Sequence, residues 1–119
     1  IKPYVDDINQ EVMFAEKSWG TYRVLQISEG SMTINIFLKA GERMNYHSHQ
    51  HRDEVWVTVS GRGRTSVDGM IQEIKVGDVV TMQAGCRHIV IADTDLQIIE
   101  IQIGKEISVH DKQKYILED

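Results

Sequence analysis

The feature that most constrains the fold is a series of short apolar runs, separated by glycine-containing turns, that begins at Thr21. Alternating or fully apolar runs of roughly five to eight residues are typical of β-strands. Asp68-Gly69 predicts a tight hairpin, because this dipeptide suits a turn that needs positive φ. The predicted strands cover residues 21–28, 32–39, 44–49, 54–60, 63–68, 71–75, 79–82, 87–92 and 96–103. Many short strands with almost no helix predict an all-β fold, a small antiparallel β-barrel.

The length of 119 residues fits a single domain. We expect residues 1–20 to be an N-terminal extension that packs on the barrel or on a partner, and residues 21–104 to form the barrel. Within the extension, residues 6–16 fit either a short helix or an edge strand. Residues 105–119 are predicted to be a polar tail that could hold a short helix. The chain begins at Ile1 rather than Met, which leaves an upstream domain open.

Charge and composition argue against several classes of partner. The net charge of −5 gives no broad basic face, so we expect no nucleic-acid binding. No apolar run approaches the roughly 20 residues of a membrane-spanning helix, so we expect no membrane partner. The single cysteine, Cys86, cannot form an internal disulfide, which fits a reducing compartment. The expected location is therefore the cytoplasm.

Residues 41–61 contain an unusual group of metal-binding side chains, His47, His49 and Glu54, and His88 follows later. Residues two apart in a strand share a face, so His47 and His49 are expected to project together. Glu54 would point back towards them after a turn, and His88 would approach from a neighbouring strand. Three imidazoles and one carboxylate suit a divalent metal: zinc is the first expectation, and manganese, iron, nickel and copper are compatible. The simpler alternative is a histidine-rich, solvated turn.

The same residues resemble the conserved motifs of the cupin superfamily. Residues 41–61 fit the first cupin motif, G-x5-H-x-H-x4-E-x6-G, at every defined position. Residues 77–88 resemble the second, except that Gln83 replaces the usual proline; beyond it, Ala92 replaces a frequent asparagine. The resemblance covers roughly residues 20–104 and implies a double-stranded β-helix, or jelly roll. It also implies one metal in the barrel mouth, bound by His47, His49, Glu54 and His88. The remaining coordination positions would be open to water or substrate.

A narrower resemblance is to the cupin domain of type II mannose-6-phosphate isomerases, found in bifunctional isomerase/guanylyltransferases. Residues 17–22, K-S-W-G-T-Y, are similar to its R-P-W-G-x-Y opening, and residues 49–56 and 96–102 are also similar. Two positions differ: His47 stands where this group typically has Gln, and Val55 stands where it often has His. The nucleotidyltransferase half is not among these 119 residues.

The resemblance implies a metal-dependent sugar-phosphate isomerase that acts through an enediol, so the expected partner is a small-molecule substrate, a sugar phosphate. An isomerase needs a base and cations for the phosphate, and the catalytic candidates are His51, Glu100 and Arg52. His51 lies beside the ligand turn, although a solvated imidazole at the rim is the simpler interpretation. Glu100 and Gln102 share one face of the last strand. That polar face could line the cavity. Alternatively, the opposite isoleucine face fills the core and the polar face is solvated.

Two other functions remain open. His47 in place of Gln is typical of cupins with three histidines and one glutamate, which include dioxygenases. A module that binds metal and sugar without turnover is the other alternative. In each case we expect a homodimer, formed through residues 1–20 or the isoleucine-rich last strand, because exposed strand edges need to be covered.

Overall fold

A computed structural model of the chain describes residues 13–44, 47–48, 50–104 and 113–114. The described residues form eleven strands, and every pairing between them is antiparallel. The strands are β1 (Phe14–Lys17), β2 (Gly20–Ser28), β3 (Ser31–Leu38), β4 (His47–Ser48), β5 (Asp53–Ser60), β6 (Arg62–Val67), β7 (Met70–Lys75), β8 (Val79–Met82), β9 (His88–Ala92), β10 (Leu96–Ile103) and β11 (Gln113–Lys114).

The strands make two sheets. One has six strands in the order β1-β2-β3-β10-β5-β8, and the other has five in the order β11-β4-β9-β6-β7. The all-β, antiparallel prediction is therefore confirmed. Among the described strands no ladder joins the two sheets, so the fold is a jelly roll of two sheets rather than a continuously hydrogen-bonded barrel. None of the described residues belongs to a helix long and apolar enough to cross a membrane.

Strands β3 and β10 show which side chains form the inner face of the six-stranded sheet. In β3 the buried side chains alternate with less buried ones, and they are Met32, Ile34, Ile36 and Leu38. In β10 the buried residues are Leu96, Ile98, Glu100 and Gln102. Ile99, Ile101 and Ile103 point outward, so the interpretation in which the isoleucines fill the core is wrong. The register explains this, because a slip by one residue would bury the isoleucines and expose Leu96 and Ile98 instead.

The hairpin between β6 and β7 confirms the prediction for Asp68-Gly69. Val67 pairs with Met70 across the turn, and Asp68 and Gly69 have φ values of 49° and 85°. Both values are positive, as a two-residue hairpin turn of this type requires.

The two ends of the chain contribute edge strands. Phe14–Lys17 pairs with β2 at the edge of the six-stranded sheet, which settles the helix-or-strand alternative for these residues in favour of a strand. Residues 1–12 lie outside the described residues. In the tail, β11 pairs with β4, the strand that carries His47. The other residues of the tail, whose sequence could hold a short helix, also lie outside the described part of the chain.

Candidate metal site and inner polar cluster

The register of the six-stranded sheet collects polar side chains into two neighbouring rows inside the fold. Gln102 of β10 lies opposite Glu54 of β5, and Glu100 lies opposite Trp56. Because cross-strand partners project to the same face, these four side chains are near neighbours. All four are buried, with at most 5% of each residue exposed. Together with Arg52 they form what we call the inner polar cluster.

The five-stranded sheet brings two histidines to this cluster. His47 of β4 pairs with His88 of β9, and their Nε2 atoms are 3.1 Å apart. Nε2 of His88 is also 3.5 Å from Oε1 of Glu54, which lies on the other sheet. Both histidines are buried, at 4% and 2% exposure. Three of the four predicted metal ligands therefore meet where the two sheets face each other. The fourth, His49, lies outside the described residues.

These distances fit ligands of one ion. Two donors, each about 2.1 Å from a metal and separated by tetrahedral to octahedral angles, lie roughly 3.0–3.4 Å apart. The His47–His88 distance of 3.1 Å falls in this range, and the His88–Glu54 distance of 3.5 Å is just above it. No group of three or more His, Cys, Asp or Glu among the described residues has the geometry of a complete metal site. Since that set excludes His49, the assignment depends on the pairwise distances and on the donor chemistry.

Arg52 compensates the charge of Glu54 from the turn that precedes β5. Nε of Arg52 donates to Oε2 of Glu54 at 2.8 Å, and the two side chains are 8% and 2% exposed. Gly104 lets this turn lie close to the end of β10, because a Cβ there would overlap the carbonyl oxygen of His51 and crowd Arg52. A buried carboxylate without such a cation would be strongly destabilising.

Trp56 connects the two buried carboxylates of the cluster. Its indole Nε1 donates to Oε1 of Glu100 at 2.8 Å and approaches Oε1 of Glu54 at 3.2 Å. Nε2 of Gln102 donates to the other oxygen of Glu100 at 2.7 Å. Burial and, to a smaller extent, the charge of Glu54 raise the pKa of Glu100 to about 7, although Arg52 and the Gln102 hydrogen bond oppose this rise. Glu100 can therefore hold or release a proton near neutral pH.

Two open clefts flank this end of the fold. The larger, about 590 Å³, lies beside the ends of β6 and β8 and the loop that precedes β9. The smaller, about 390 Å³, is lined by His51 and Arg52 among others. Ala84 lines both clefts, and its N–H donates to Oδ1 of Asp53 at 2.7 Å. His51 is exposed at this rim, whereas Arg52 is buried beneath it.

Cys86 and Lys39 are less suited to roles in the site. Sγ of Cys86 lies 3.9 Å from Nδ1 of His88, but burial and then the charges of Asp68 and other acidic groups raise the pKa of this thiol to about 11. The thiol therefore stays protonated and is a poor nucleophile. Lys39 follows Leu38, which pairs with Leu96 at the far end of β10, roughly 20 Å from Gln102.

Sequence reasoning did not include Trp56 and Gln102 among the site residues. Trp56 is an apolar strand residue and lies in the core, at 2% exposure. Its indole nitrogen also belongs to the site, however. The available signal was parity: Glu54 and Trp56 are two apart in one strand, and so are Glu100 and Gln102, so each pair shares a face.

Comparison with solved structures identifies the class of fold. Oxalate decarboxylase from Bacillus subtilis matches with a TM-score of 0.77 at 20% identity, over 85% of this chain and 29% of that chain. KdgF from a Halomonas species matches with a TM-score of 0.73 at 17% identity, over 83% and 92% of the two chains. A conserved Klebsiella pneumoniae protein with a double-stranded β-helix domain matches with a TM-score of 0.71 at 15% identity, over 87% of each chain. The fold is that of the cupins.

Sequence comparison narrows this class to one family. The profile described as Mannose-6-phosphate isomerase C-terminal matches residues 6–117, so the chain belongs to that family. The mannose-1-phosphate guanylyltransferase ManC of Salmonella typhimurium is 25% identical over 101 residues, which cover 83% of this chain and 21% of ManC. The alginate biosynthesis protein AlgA of Pseudomonas aeruginosa is 26% identical over 105 residues, covering 87% and 21%. The chain thus spans about a fifth of the length of these relatives.

Proposed function

We propose that this chain is a metal-dependent sugar-phosphate isomerase that interconverts mannose 6-phosphate and fructose 6-phosphate. The observation that carries the proposal is the meeting of a candidate metal site with a second buried carboxylate. Trp56 touches both, because its indole nitrogen lies 3.2 Å from Glu54 and 2.8 Å from Glu100. Membership of the family described as Mannose-6-phosphate isomerase C-terminal supports the choice of substrate.

In this proposal His47, His49, Glu54 and His88 would hold the metal. A divalent ion bound there would polarise the substrate carbonyl and stabilise the charge that develops on its oxygen. The Nε2 atoms of His47 and His88 lie 3.1 Å apart, a separation that two nitrogen ligands of one ion also have. Arg52 orients Glu54 through its 2.8 Å hydrogen bond, which prepares that carboxylate as a ligand. Zinc is the first expectation for the ion.

Isomerisation needs one group that moves a proton between adjacent carbons. A base takes the proton from carbon 2 of the aldose while the oxygen on carbon 1 gains one, which gives the enediol. Return of a proton to carbon 1, with loss of the proton on the oxygen of carbon 2, gives the ketose, and no oxidant is needed. Glu100 is the better placed base, because it is buried inside the fold next to Glu54, whereas His51 is exposed at the rim.

The phosphate group of the substrate requires cations beside the clefts that flank the candidate metal site. Arg52 lines the smaller cleft, although its Nε is already engaged by Glu54. Arg87 is exposed and immediately precedes His88, so it is a second candidate at this end of the fold. Lys39, at the far end of the sheet, is not a candidate for contact with a sugar bound at the metal site.

One alternative activity uses the same four ligands. A dioxygenase with three histidines and one glutamate would be favoured by His47, since the resembling isomerase domains typically have Gln there. A module that binds metal and sugar without turnover is the second alternative. The location in the cytoplasm and the homodimer remain predictions. The outward-facing Ile99, Ile101 and Ile103 would give such a dimer an apolar surface.

The direct test is to supply mannose 6-phosphate to the metal-loaded protein in deuterated water and to follow both sugars by NMR. We expect fructose 6-phosphate with deuterium at carbon 1, because an enediol exchanges its proton with solvent. Glu100→Gln should abolish turnover, whereas His51→Gln should slow it only slightly. Oxygen consumption in place of interconversion would favour the dioxygenase, and sugar binding without either reaction would favour the binding module.

A further inference from the structure

Gln102 has a buried side-chain oxygen that receives no hydrogen bond from the described part of the chain. The residue is 2% exposed, and its Oε1 accepts no hydrogen bond from any residue that the structure describes. Most buried polar atoms are paired, and an unpaired acceptor indicates a place that a ligand or an ordered water completes. The question is which partner the surroundings favour.

The direction of this oxygen is fixed by the other half of the amide. Nε2 of Gln102 donates to Oε2 of Glu100 at 2.7 Å. A carboxylate accepts hydrogen bonds, so the amide nitrogen faces Glu100 and the carbonyl oxygen points away from it. Glu100 is itself held by the indole N–H of Trp56 at 2.8 Å. Two hydrogen bonds in series therefore orient the Gln102 carbonyl.

The cross-strand neighbours of Gln102 cannot donate to it. Gln102 pairs with Met32 on one side and with Glu54 on the other, and Met82 lies beyond Glu54 in the same row. A thioether has no proton to donate, and a carboxylate only accepts. The acceptor thus lies beside a candidate metal ligand, in a row whose other members cannot satisfy it.

We propose that the carbonyl oxygen of Gln102 accepts a hydrogen bond from a hydroxyl group of the bound sugar phosphate, which makes Gln102 a specificity-determining residue. This inference rests on the proposed function, because it assumes a polyhydroxylated ligand beside Glu54. A site with a buried acceptor rejects a ligand that lacks the matching hydroxyl, since the acceptor then stays unpaired. Gln102 would therefore distinguish a sugar from its deoxy analogue at one carbon.

The test measures binding rather than turnover. Mannitol 1-phosphate has no carbonyl and cannot isomerise, so calorimetry of the metal-loaded protein can compare it with each of its mono-deoxy analogues. We expect the unaltered protein to bind one analogue about tenfold more weakly than the parent. Gln102→Met should bind the parent and that analogue within about twofold of each other. Gln97→Met is the matched control, because Gln97 lies on the same strand but donates outside the core to Asn35.

Each outcome decides the assignment. If Gln102→Met weakens all ligands equally and keeps the tenfold difference, Gln102 only supports Glu100 and the proposal is overturned. The same holds if no analogue is discriminated, which would indicate a water at the acceptor, or if mannitol 1-phosphate does not bind at all. Should Gln102→Met not fold, Gln102→Asn, which withdraws the carbonyl by one carbon, is expected to lose the same discrimination. If Gln102→Met loses the discrimination but the wild type does not interconvert the two sugars, only the isomerase proposal is refuted. If the wild type interconverts the sugars but Gln102→Met keeps the discrimination, only this inference is refuted.

Discussion

Replacing Arg52 by Met should destabilise the protein far more than the same change at Arg64. Both arginines pair with a carboxylate, at 2.8 Å for Glu54 and 3.0 Å for Asp93. The difference is burial: the side chains of the first pair are 8% and 2% exposed, and those of the second are 45% and 38% exposed. Breaking a buried pair leaves an uncompensated charge and costs about 3–5 kcal/mol. An exposed pair contributes at most about 1 kcal/mol.

Urea unfolding of chelator-treated protein, followed by circular dichroism, measures both changes under one set of conditions. We expect a loss of about 3–5 kcal/mol for Arg52→Met and less than about 1 kcal/mol for Arg64→Met. Adding Glu54→Gln to Arg52→Met should restore much of the loss, because the buried charge is then gone. Equal and small losses for the two single variants would refute the reasoning about the inner polar cluster.

Three further predictions concern Glu100, Gly104 and the outer face. The pKa of Glu100 is raised from 4.5 to about 7, so metal-free wild type should lose stability relative to Glu100→Gln as the pH rises from about 4.5 to about 7. The loss should be about 3 kcal/mol and should level off above that range; a difference independent of pH in urea titrations would contradict it. Gly104→Ala should cost about 1–3 kcal/mol in thermal or urea unfolding, because its Cβ overlaps the His51 carbonyl, and an unchanged midpoint would argue against that contact. The wild type should sediment as a dimer and Ile101→Lys as a monomer; a wild-type monomer at micromolar concentration would exclude the predicted interface.

The strands and their inner faces were largely predictable, because period-two patterns and turn dipeptides are local signals. The β6–β7 hairpin is an example, since Asp68-Gly69 alone indicates its turn and its positive φ values. The orientation of β10 was not decided by its own sequence, because one face is isoleucine and the other mixes Leu96 and Ile98 with Glu100 and Gln102. Pairing with β3 and β5 settles it, and that information is not local.

In the candidate site, too, some features follow from local sequence signals and others depend on contacts between distant strands. His88 lies near both His47 and Glu54, and the sequence analysis expected it to approach them from a neighbouring strand. The links from Arg52 to Glu54, and through Trp56 to Glu100, depend on side-chain directions across strands far apart in sequence. The strand count predicted a barrel, whereas the described strands form two facing sheets. The number of strands alone does not determine whether the sheet edges join.

Calorimetric titration of zinc into chelator-treated protein tests the central claim most directly. We expect one ion per chain in the wild type and in His110→Gln, a histidine outside the predicted ligand set. Glu54→Gln and His88→Gln should weaken zinc binding by more than about a hundredfold, because each removes a ligand. A wild type that binds no zinc, or a His88→Gln variant that binds it as tightly as the wild type, would contradict the account.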